Sequence, residues 1–467
     1  MDDETLVFVL NIIGNCIFIP TMLPPLLHQG LTKKFSYELE GAYYIKQNNP
    51  SANTIVRFWN EKRRTLPLTM KDGLVKTLQD YAVHVGKKLV IDIIDRRTFN
   101  PEKIIMPDKM ANIVLRDYQN EAVDKIQNNK IGIIRIGCGG GKGDIGSEVI
   151  RRLNCQTLFI VNRIDLLLQM KQRMEKELGI KVGVIQGDNI DIQFVTIAMI
   201  QTLSSKKKQL FDYLSTVRCM IIDECHNAAS RSYLSISRCL KNCEYHIGLS
   251  ATPFRVDGKD MNIAAVCGYV VFEMNADELI KRNLLMEPQV VFIKYDEPKV
   301  KTENKVHYSE HYNLKIVHND NRNNIICQLA EKHKDLQTLI LVKTIEHGNY
   351  LSNKLGAKYI CGSMDLKERE QLIVDFTDKK VKMIIATLSI FQQGLNIPSL
   401  EIIINAAANK SDISSIQSLG RLLRMASGKH GCIYYDFYDK SFLFLRTSKK
   451  RIDAFKDEGH DINFVEA

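Results

Sequence analysis

The feature that most constrains the fold of this chain is a glycine-rich loop between an apolar run and a helical pattern. The apolar run Ile131–Ile136 leads into Gly137, Cys138, Gly139, Gly140, Gly141, Lys142 and Gly143, and a helical pattern follows. In such a loop, backbone N–H groups turn inward around phosphates, the helix N-terminus adds positive potential, and the lysine reaches the terminal phosphates. Glycine clusters also form plain loops, but this order of elements favours a nucleotide site.

The position after the lysine departs from the usual phosphate loop. Gly143 stands where a Ser or Thr hydroxyl is expected to bind Mg²⁺. The adjacent Asp144 could contribute through water, or the remaining carboxylates and water could suffice. The sequence therefore leaves open whether hydrolysis is weakened or normally tuned.

Paired carboxylates form a second candidate site. The apolar run Met220, Ile221 and Ile222 predicts a buried strand. This strand is followed by Asp223, Glu224, Cys225 and His226. Such a strand end faces the ligand crevice of a parallel sheet. Asp223 is expected to hold Mg²⁺, while Glu224 orients and deprotonates the attacking water. A lone Asp-Glu-x-His is more often a solvated loop, but the upstream phosphate loop favours the catalytic interpretation.

Length and element pattern predict the fold class. A chain of 467 residues is expected to form about three compact units. Residues 1–105 mix short strands with a helical pattern over 71–86, which indicates a small α+β accessory domain. Residues 106–284 and 285–467 alternate strands with helices, so we predict an α/β protein with two tandem parallel-sheet domains. The strands are expected at 131–136, 157–161, 194–198, 220–222, 338–342, 358–361, 383–386, 401–405 and 432–437, and residues 297–311 are the most loop-like stretch.

Composition bears on partners and compartment. A net charge of +10 favours a polyanionic partner, although many basic proteins bind no nucleic acid. Eleven irregularly spaced cysteines indicate reduced thiols in a cytosol-like compartment, and Cys239 and Cys243 are expected to be helix-borne core thiols rather than a metal site. The apolar stretch 6–27 is interrupted by polar residues and prolines, so we expect a buried hairpin turning at Gly14 and Asn15. We therefore expect a cytoplasmic protein without a membrane span, located in the host cytoplasm if the source is a phage or virus.

Further motifs carry a resemblance to a known family. Arg116, Asp117, Tyr118 and Gln119 look like an adenine-recognition element, with Gln119 as the amide that reads the base. Ser250, Ala251 and Thr252 are similar to an element that couples hydrolysis to strand movement. The segment 417–424 carries Gln417, Gly420, Arg421 and Arg424 and matches an arginine-finger element. In this order, the motifs resemble the superfamily 2 helicases and translocases, in the DEAH-like group of XPB-type, type III restriction-type and bacteriophage branch-migration enzymes.

The resemblance implies two RecA-like domains that use ATP and Mg²⁺. Arg421 and Arg424, three apart on a predicted helix, can share a face and stabilise charge on a transferring phosphoryl group. An ordinary basic helix face is the alternative, but the preceding Gln417 and Gly420 favour arginine fingers. Asn396 stands where the family commonly has aspartate, which removes a charge from the segment 394–398.

The resemblance also implies a nucleic-acid track. Small polar or basic side chains after predicted strands suit contacts with phosphate and sugar, which do not read sequence, so sequence-independent binding is expected. Any one of these residues could instead be a turn or a helix cap. The candidates are Asn162, Arg163, Gln201, Thr202, Lys343, Thr344, Gly362 and Thr387.

Three functions remain open from the sequence. The leading hypothesis is an ATP-dependent DNA helicase or translocase, monomeric, that acts on duplex, forked or four-way DNA. An RNA helicase is the second, because the motor motifs do not distinguish the polymers. An ATP-binding nucleic-acid clamp with little turnover is the third, and Gly143 motivates it. The N-terminal segment looks like the accessory domain of phage branch-migration helicases, with candidate DNA contacts at residues 62–64 and at Arg96 and Arg97.

Overall fold

The computed structural model describes residues 5–252, 260–296, 307–392, 397–410 and 412–467. The chain divides into two compact units. The first extends to Ile136 and resumes over Gly141–Glu273, and the second contains Gly137–Gly140 and Met274–Ala467. The predicted accessory segment 1–105 therefore packs within the first unit. The predicted boundary near 284 also differs, because the helix after Met274 contributes the fully buried Leu279 to the second unit.

The N-terminal part of the first unit is an α+β structure. Thr5–Ile13 and Cys16–Phe18 form the predicted hairpin, in which Ile13 pairs with Cys16 and Gly14 adopts a φ of +59°. Its described elements are β1 (Thr5–Ile13), β2 (Cys16–Phe18), α1 (Pro25–Lys34), β3 (Ser36–Glu38), α2 (Ala42–Asn48), β4 (Ile55–Arg57), β5 (Thr65–Pro67), α3 (Lys71–His84) and β6 (Lys88–Asp95). The sheet order is β5-β2-β1-β6, and α3 confirms the helix predicted from its periodicity.

The rest of the first unit is built on a larger, mainly parallel sheet. Its described elements are α4 (Asp117–Asn129), β7 (Ile131–Ile136), α5 (Lys142–Leu153), β8 (Thr157–Val161), α6 (Ile164–Leu178), β9 (Val182–Gln186), β10 (Asn189–Asp191), β11 (Val195–Met199), α7 (Ile200–Ser205), α8 (Phe211–Thr216), β12 (Cys219–Asp223), α9 (Arg231–Ser237), β13 (Tyr245–Ser250), α10 (Asp260–Cys267) and β14 (Val270–Met274). The sheet order is β10-β9-β11-β8-β12-β13-β7-β14. Parallel pairing from β9 through β7 confirms the predicted crossover architecture.

The second unit contains another parallel sheet. Its described elements are α11 (Ala276–Lys281), β15 (Gln289–Lys294), α12 (Tyr308–Tyr312), α13 (Asp320–Lys332), β16 (Thr338–Val342), α14 (Ile345–Leu355), β17 (Lys358–Ile360), α15 (Leu366–Thr377), β18 (Met383–Thr387), α16 (Leu388–Gln392), β19 (Ile402–Asn405), α17 (Asp412–Leu422), β20 (Ile433–Phe437), α18 (Phe442–Asp457) and β21 (Ile462–Glu466). The strand order is β17-β18-β16-β19-β20-β15-β21. The predicted loop 297–311 is corrected in part, because α12 begins at Tyr308; residues 297–306 lie outside the described residues.

The N-terminal sheet shares its hydrophobic core with the larger sheet of the first unit. Leu74 and Leu78 of α3 belong to the same buried cluster as Ala264 and Ala265 of α10. Polar contacts add to this core, since Asn15 in the hairpin turn donates to the backbone oxygen of Ser237 at 2.8 Å and to its hydroxyl at 2.7 Å. Burial of apolar area is the main favourable term in folding, so the two sheets stabilise each other.

Arg97 belongs to this packing as well, and the structure corrects its predicted role as an exposed DNA contact. Its side chain is 5% exposed, pairs with Asp95 at 2.6 Å and donates to the backbone oxygen of Cys243. The ring of Phe99 lies between Arg97 and Arg218, at 4.9 and 5.2 Å from their guanidinium carbons. Arg97 therefore anchors the segment after β6 to the larger sheet.

We expect deletion of residues 1–105 to destabilise the remaining chain, because it would expose Ala264, Ala265 and their neighbours on α10. A loss of about 2 kcal/mol shifts the melting temperature of a unit of this size by roughly 4–8 °C. Thermal unfolding and sedimentation of residues 106–467 beside the full chain would measure this. A soluble fragment that melts at the full-length temperature would show that the shared core contributes little stability.

The cysteine pair that the sequence placed on a helix lies outside the helices. Cys239 and Cys243 are buried thiols, as predicted, but α9 ends at Ser237, so neither lies on a helix: Cys239 is in a turn and Cys243 is in the segment before β13. Among the described residues, no group of three or more His, Cys, Asp or Glu side chains is arranged to hold a metal ion. None of the described helices is both long and apolar enough to cross a bilayer.

Candidate active site

The glycine-rich loop joins a strand to a helix and contains two glycines with left-handed backbone. β7 ends at Ile136 and α5 begins at Lys142, which confirms the predicted order of strand, loop and helix. Gly139 and Gly141 adopt φ values of +89° and +82°, in the left-handed region that favours glycine. The Lys142 ammonium donates to the backbone oxygen of Ile136 at 3.3 Å, so its nitrogen lies close to the loop.

Gln119 lies against this loop. Its side-chain oxygen accepts a hydrogen bond from the backbone N–H of Arg116 at 2.9 Å, which fixes the amide at the start of α4. Its amide nitrogen packs against Gly141, where an added Cβ would collide with it. The predicted base-reading amide and the loop are therefore adjacent, although they are separated along the sequence.

The structure gives Asp144 and Gly143 a partner that the sequence did not indicate. The Asp144 carboxylate pairs with the guanidinium of Arg173 on α6, which also contacts Glu177 at 2.6 Å. A Cβ added to Gly143 would lie 2.5 Å from the Arg173 Nη1 atom. The suggestion that Asp144 supports Mg²⁺ through water is thus weakened, because this carboxylate is already neutralised by an arginine.

The paired carboxylates end β12, as predicted. Burial and then the neighbouring Glu224 raise the pKa of Asp223 to about 6, and the positive charge of Lys142 opposes this shift. A divalent cation on this carboxylate would offset the cost of burying its negative charge, so Asp223 fits a metal ligand. Glu224 has a φ of +49°, in the left-handed region that non-glycine residues adopt less often.

The carboxylates are connected to the predicted coupling element. The Nδ1 atom of His226 lies 3.4 Å from a Glu224 carboxylate oxygen and 3.4 Å from the Ser250 hydroxyl. The Ser250 hydroxyl in turn accepts a hydrogen bond from the backbone N–H of Thr252 at 3.1 Å. Ser250, Ala251 and Thr252 are all buried. The His226 ring therefore contacts both Glu224 and Ser250 at the end of β13.

The arginine-finger segment differs from the prediction in one respect. α17 ends at Leu422, so Arg421 is in its last turn while Arg424 lies beyond it, and the two do not share a helix. The Arg421 guanidinium lies 4.9 Å from the centre of the Phe391 ring. Arg424 is largely buried, and burial lowers its pKa. Gln417 lies within α17.

Lys429 fixes the turn that carries Arg424, and sequence analysis missed it. This lysine is 8% exposed, and its ammonium donates to the backbone oxygens of Leu422 and Arg424, the latter at 3.0 Å. A cation close behind a helix C-terminus satisfies its last carbonyl groups. The place of this lysine shortly after the helical pattern of α17 was the sequence signal that could have indicated its role. Within the same compact unit, Gly139 lies near Arg424, whose Cγ atom would be 4.0 Å from a Cβ added to the glycine.

Two family models match the chain, and each covers part of one parallel sheet. The "Type III restriction enzyme, res subunit" model matches residues 112–255, and the "Helicase conserved C-terminal domain" model matches residues 321–426. The first match contains the phosphate loop and the carboxylates, and the second contains the arginine segment. The chain is a superfamily 2 helicase. It belongs to the XPB and type III restriction-like group, whose members are ATP-hydrolysing enzymes.

Known proteins resemble this helicase over most of its length. It is 24% identical over 351 residues to "DNA 3'-5' translocase XPB2" of Sulfurisphaera tokodaii, covering 67% of this chain and 79% of that protein. It is 24% identical over 445 residues to "ATP-dependent DNA helicase uvsW" of Enterobacteria phage T4, covering 87% and 86%. The solved structure of S. cerevisiae Dbp5 bound to RNA and ADP BeF3 shares its fold with a TM-score of 0.54, at 17% identity, covering 75% of this chain and 89% of that one. The predicted tandem RecA-like architecture is confirmed.

The predicted track residues of the first unit differ in accessibility. Arg163 precedes α6, burial lowers its pKa, and the carboxylates of Asp165 and Glu224 oppose this shift. The Gln201 amide donates to the backbone oxygen of Asn162 at 3.2 Å, so these two candidates are neighbours. Thr202 is buried, and its hydroxyl accepts from the backbone N–H of Gly187 at 3.0 Å. The structure thus gives Thr202 a packing role, and its contact with nucleic acid stays a prediction.

The candidates in the second unit follow the carboxyl ends of neighbouring strands. Lys343 and Thr344 follow β16, Gly362 follows β17 and Thr387 ends β18. Thr344 is also the N-cap of α14, because its hydroxyl accepts from the backbone N–H of His347 at 3.3 Å. Gly362 is exposed, whereas Thr387 is buried. Asn396 and its preceding residues 394–395 lie outside the described residues, as do residues 253–255 after Thr252.

We expect Gly143→Thr to lower the magnesium concentration that this helicase needs for half-maximal ATP hydrolysis, because it restores a hydroxyl ligand. Gly143 is not among the residues with a left-handed backbone, so a side chain requires only that the flexible end of Arg173 shifts. ATPase rates titrated with magnesium would measure the effect. Gly143→Ala is the matched control, and an equal effect of alanine would assign the change to the displaced Arg173 rather than to the hydroxyl.

Proposed function

We propose that this superfamily 2 helicase is an ATP-dependent DNA helicase or translocase that acts on duplex or branched DNA. The observation that carries the proposal is the contact of His226 with both Glu224 and Ser250, because it joins the carboxylate that handles water to the coupling element. Hydrolysis alone would not need this connection. The names of the two relatives reported above favour DNA as the polymer.

The residues of the predicted motifs suit hydrolysis of a nucleoside triphosphate. Lys142 and the loop 137–143 hold the phosphates, and Gln119 contacts the base. Asp223 would hold Mg²⁺, and the ion would supply positive charge that neutralises the phosphate oxygens. Glu224 accepts the proton of the attacking water, and its contact with the His226 ring orients it. Arg421 and Arg424 stabilise the charge that develops on the transferring phosphoryl group.

The polar and basic residues after the strands suit a path for the nucleic-acid backbone. Contacts with phosphate and sugar fix position without reading bases, so binding is independent of sequence. The proposed activities are unwinding of forks and four-way junctions and branch migration. They would serve recombination, repair or replication. The exposed Lys62 and Arg63 of the N-terminal sheet are candidate contacts for the duplex near a junction. The helicase is proposed to act as a monomer.

Stimulation of ATP hydrolysis by different polymers tests the proposal. We expect DNA to raise the rate, and forked and four-way DNA to raise it more than linear duplex. The same assay with single-stranded and duplex RNA distinguishes the alternatives. Stimulation by RNA but not by DNA would identify an RNA helicase, and slow hydrolysis that no polymer stimulates would identify an ATP-binding clamp. Either result would overturn the proposal.

A further inference from the structure

One lysine continues the line of track candidates across the second sheet. In the strand order β17-β18-β16-β19, the carboxyl ends of the first three strands carry Gly362, Thr387 and Lys343. Lys410 lies five residues after Asn405, the last residue of β19. β19 pairs in parallel with β16, and Asn405 is opposite Leu341. Carboxyl ends of parallel strands meet at one edge of a sheet, so Lys410 lies at the same edge.

Tyr308 brings the two lysines together. The Lys410 ammonium lies 3.6 Å from the centre of the Tyr308 ring, and the Lys343 ammonium lies 4.9 Å from the same centre. Lys343 also donates to the Tyr308 hydroxyl at 3.4 Å and lies 4.7 Å from the Tyr312 ring. Both lysines are exposed, whereas Tyr308 is half-buried. The aromatic rings thus orient two ammonium groups that water can reach.

The segment that carries Lys410 is held by buried groups. Arg322 donates to the backbone oxygen of Ala406 at 3.0 Å, and the Tyr312 hydroxyl donates to that of Ala407 at 2.8 Å. Arg451 donates to the backbone oxygen of Asn409 at 3.0 Å. All three donors are buried, so the backbone preceding Lys410 is positioned before any ligand binds.

The charges at this place are unbalanced. Lys343 and Lys410 lie near one ring, and within the described parts of the chain neither has a carboxylate at ion-pair distance. Two ammonium groups oriented side by side repel each other, and an oxyanion between them would remove that cost. A phosphate group supplies several oxygen acceptors for such a pair. Because Lys410 already covers the Tyr308 ring closely, phosphate suits this place better than a stacked base.

We propose that Lys343, Lys410 and Tyr308 form a phosphodiester clamp at the carboxyl edge of the second sheet. Lys343 and Lys410 contact the nucleic-acid backbone, and Tyr308 positions their ammonium groups. The inference rests on the proposed function, because it assumes a nucleic-acid ligand. It adds Tyr308 and Lys410, which lie outside every motif found in the sequence, and it extends the track to β19.

The salt dependence of binding tests the clamp. Affinity of the full chain for single-stranded DNA, duplex DNA and RNA would be measured over a range of salt concentrations. Each lysine on a phosphate contributes roughly 0.7–0.9 to the slope of log K against log salt. We therefore expect Lys410→Gln and Lys343→Gln each to lower the slope by about that amount. Lys354→Gln is the matched control, since Lys354 is an exposed lysine 5.6 Å from the Tyr350 ring and bonded to Asn324.

Tyrosine variants separate positioning from charge. Tyr308→Leu keeps both lysines but removes the ring, and we expect affinity to fall by about fivefold, the order of magnitude of a cation–π contact. Tyr308→Phe keeps the ring and loses only the bond to Lys343, so affinity is expected to stay closer to that of the unmodified chain. An affinity of Tyr308→Leu equal to that of Tyr308→Phe would remove the positioning role.

The outcomes also separate this inference from the proposed function. If the unmodified chain binds DNA with a steep salt slope and Lys410→Gln keeps that slope, the clamp is overturned while the proposed function stands. If the unmodified chain binds no DNA, the proposed function is overturned, and the clamp that rests on it is overturned as well. The ATP concentration for half-maximal hydrolysis without DNA is a further readout. A rise in that concentration for Lys410→Gln, with an unchanged slope, would assign the lysine to nucleotide phosphates and overturn the clamp.

Discussion

Glu224→Gln is expected to lower ATP hydrolysis by about 10²- to 10⁴-fold while ATP and DNA still bind, because general-base catalysis contributes on this scale. The amide keeps the shape of the side chain but cannot accept a proton from water. Asp223 stays in place, and its carboxylate still accepts the backbone N–H of residue 224 at 3.0 Å. Steady-state ATPase rates and equilibrium nucleotide binding would be measured together.

A matched variant makes the result specific to the site. Glu121→Gln changes an exposed carboxylate on α4 and is expected to hydrolyse ATP normally. A fall of less than about tenfold for Glu224→Gln would exclude Glu224 as the base. An equal loss of ATP binding would indicate that the carboxylate holds the nucleotide or the metal. Loss of DNA-stimulated motion with retained hydrolysis would instead place Glu224 in the connection through His226.

Arg451→Ala is expected to destabilise the second unit by about 3–5 kcal/mol, because it leaves a buried carboxylate without its partner. Arg451 and Asp436 are fully buried and form two hydrogen bonds, at 2.9 and 3.0 Å. Asp436 also accepts from the Asn405 amide at 2.9 Å, so α18, β20 and the end of β19 meet at this pair. Urea unfolding of the full chain would measure the change.

The exposed Arg446 on the same helix supplies the control, and Arg446→Ala is expected to leave stability nearly unchanged. A double variant isolates the charge. Arg451→Met with Asp436→Leu removes both charges and keeps apolar volume, so it should be less destabilised than Arg451→Met alone. If the double variant is as unstable as the sum of the single variants, the ion pair is not the source of the effect.

Local sequence patterns predicted nine strands of the two parallel sheets and missed β9, β10, β13, β14, β15 and β21. The strands over 131–136, 157–161 and 338–342 have the predicted bounds, and the other six predicted strands differ by one residue at one or both ends. The reason is that a short apolar run between polar segments can be satisfied in few ways other than a buried strand. The prediction that Arg421 and Arg424 share a helix was wrong, because α17 ends at Leu422. The buried ammonium of Lys429 binds the backbone oxygens of Leu422 and Arg424 at this end.

The candidate site was predictable to the extent that its residues are neighbours in sequence. The loop 137–143 and the pair Asp223 and Glu224 carry their chemistry in adjacent positions. The role of Arg97 was not predictable in this way, because its partner Cys243 lies far along the chain. A surface basic residue and a buried anchor look the same in a sequence, since the difference lies in what packs around them.

The sequence by itself determined the fold class, the family and the order of the motifs, because hydrophobic period, glycine spacing and carboxylate placement are local properties of the chain. Only the tertiary structure decided that Arg173 neutralises Asp144 and that His226 joins Glu224 to Ser250. It also decided that Tyr308 gathers Lys343 and Lys410. These contacts join residues that are distant in the sequence, and burial and electrostatic pairing between them arise only when the sheets have assembled.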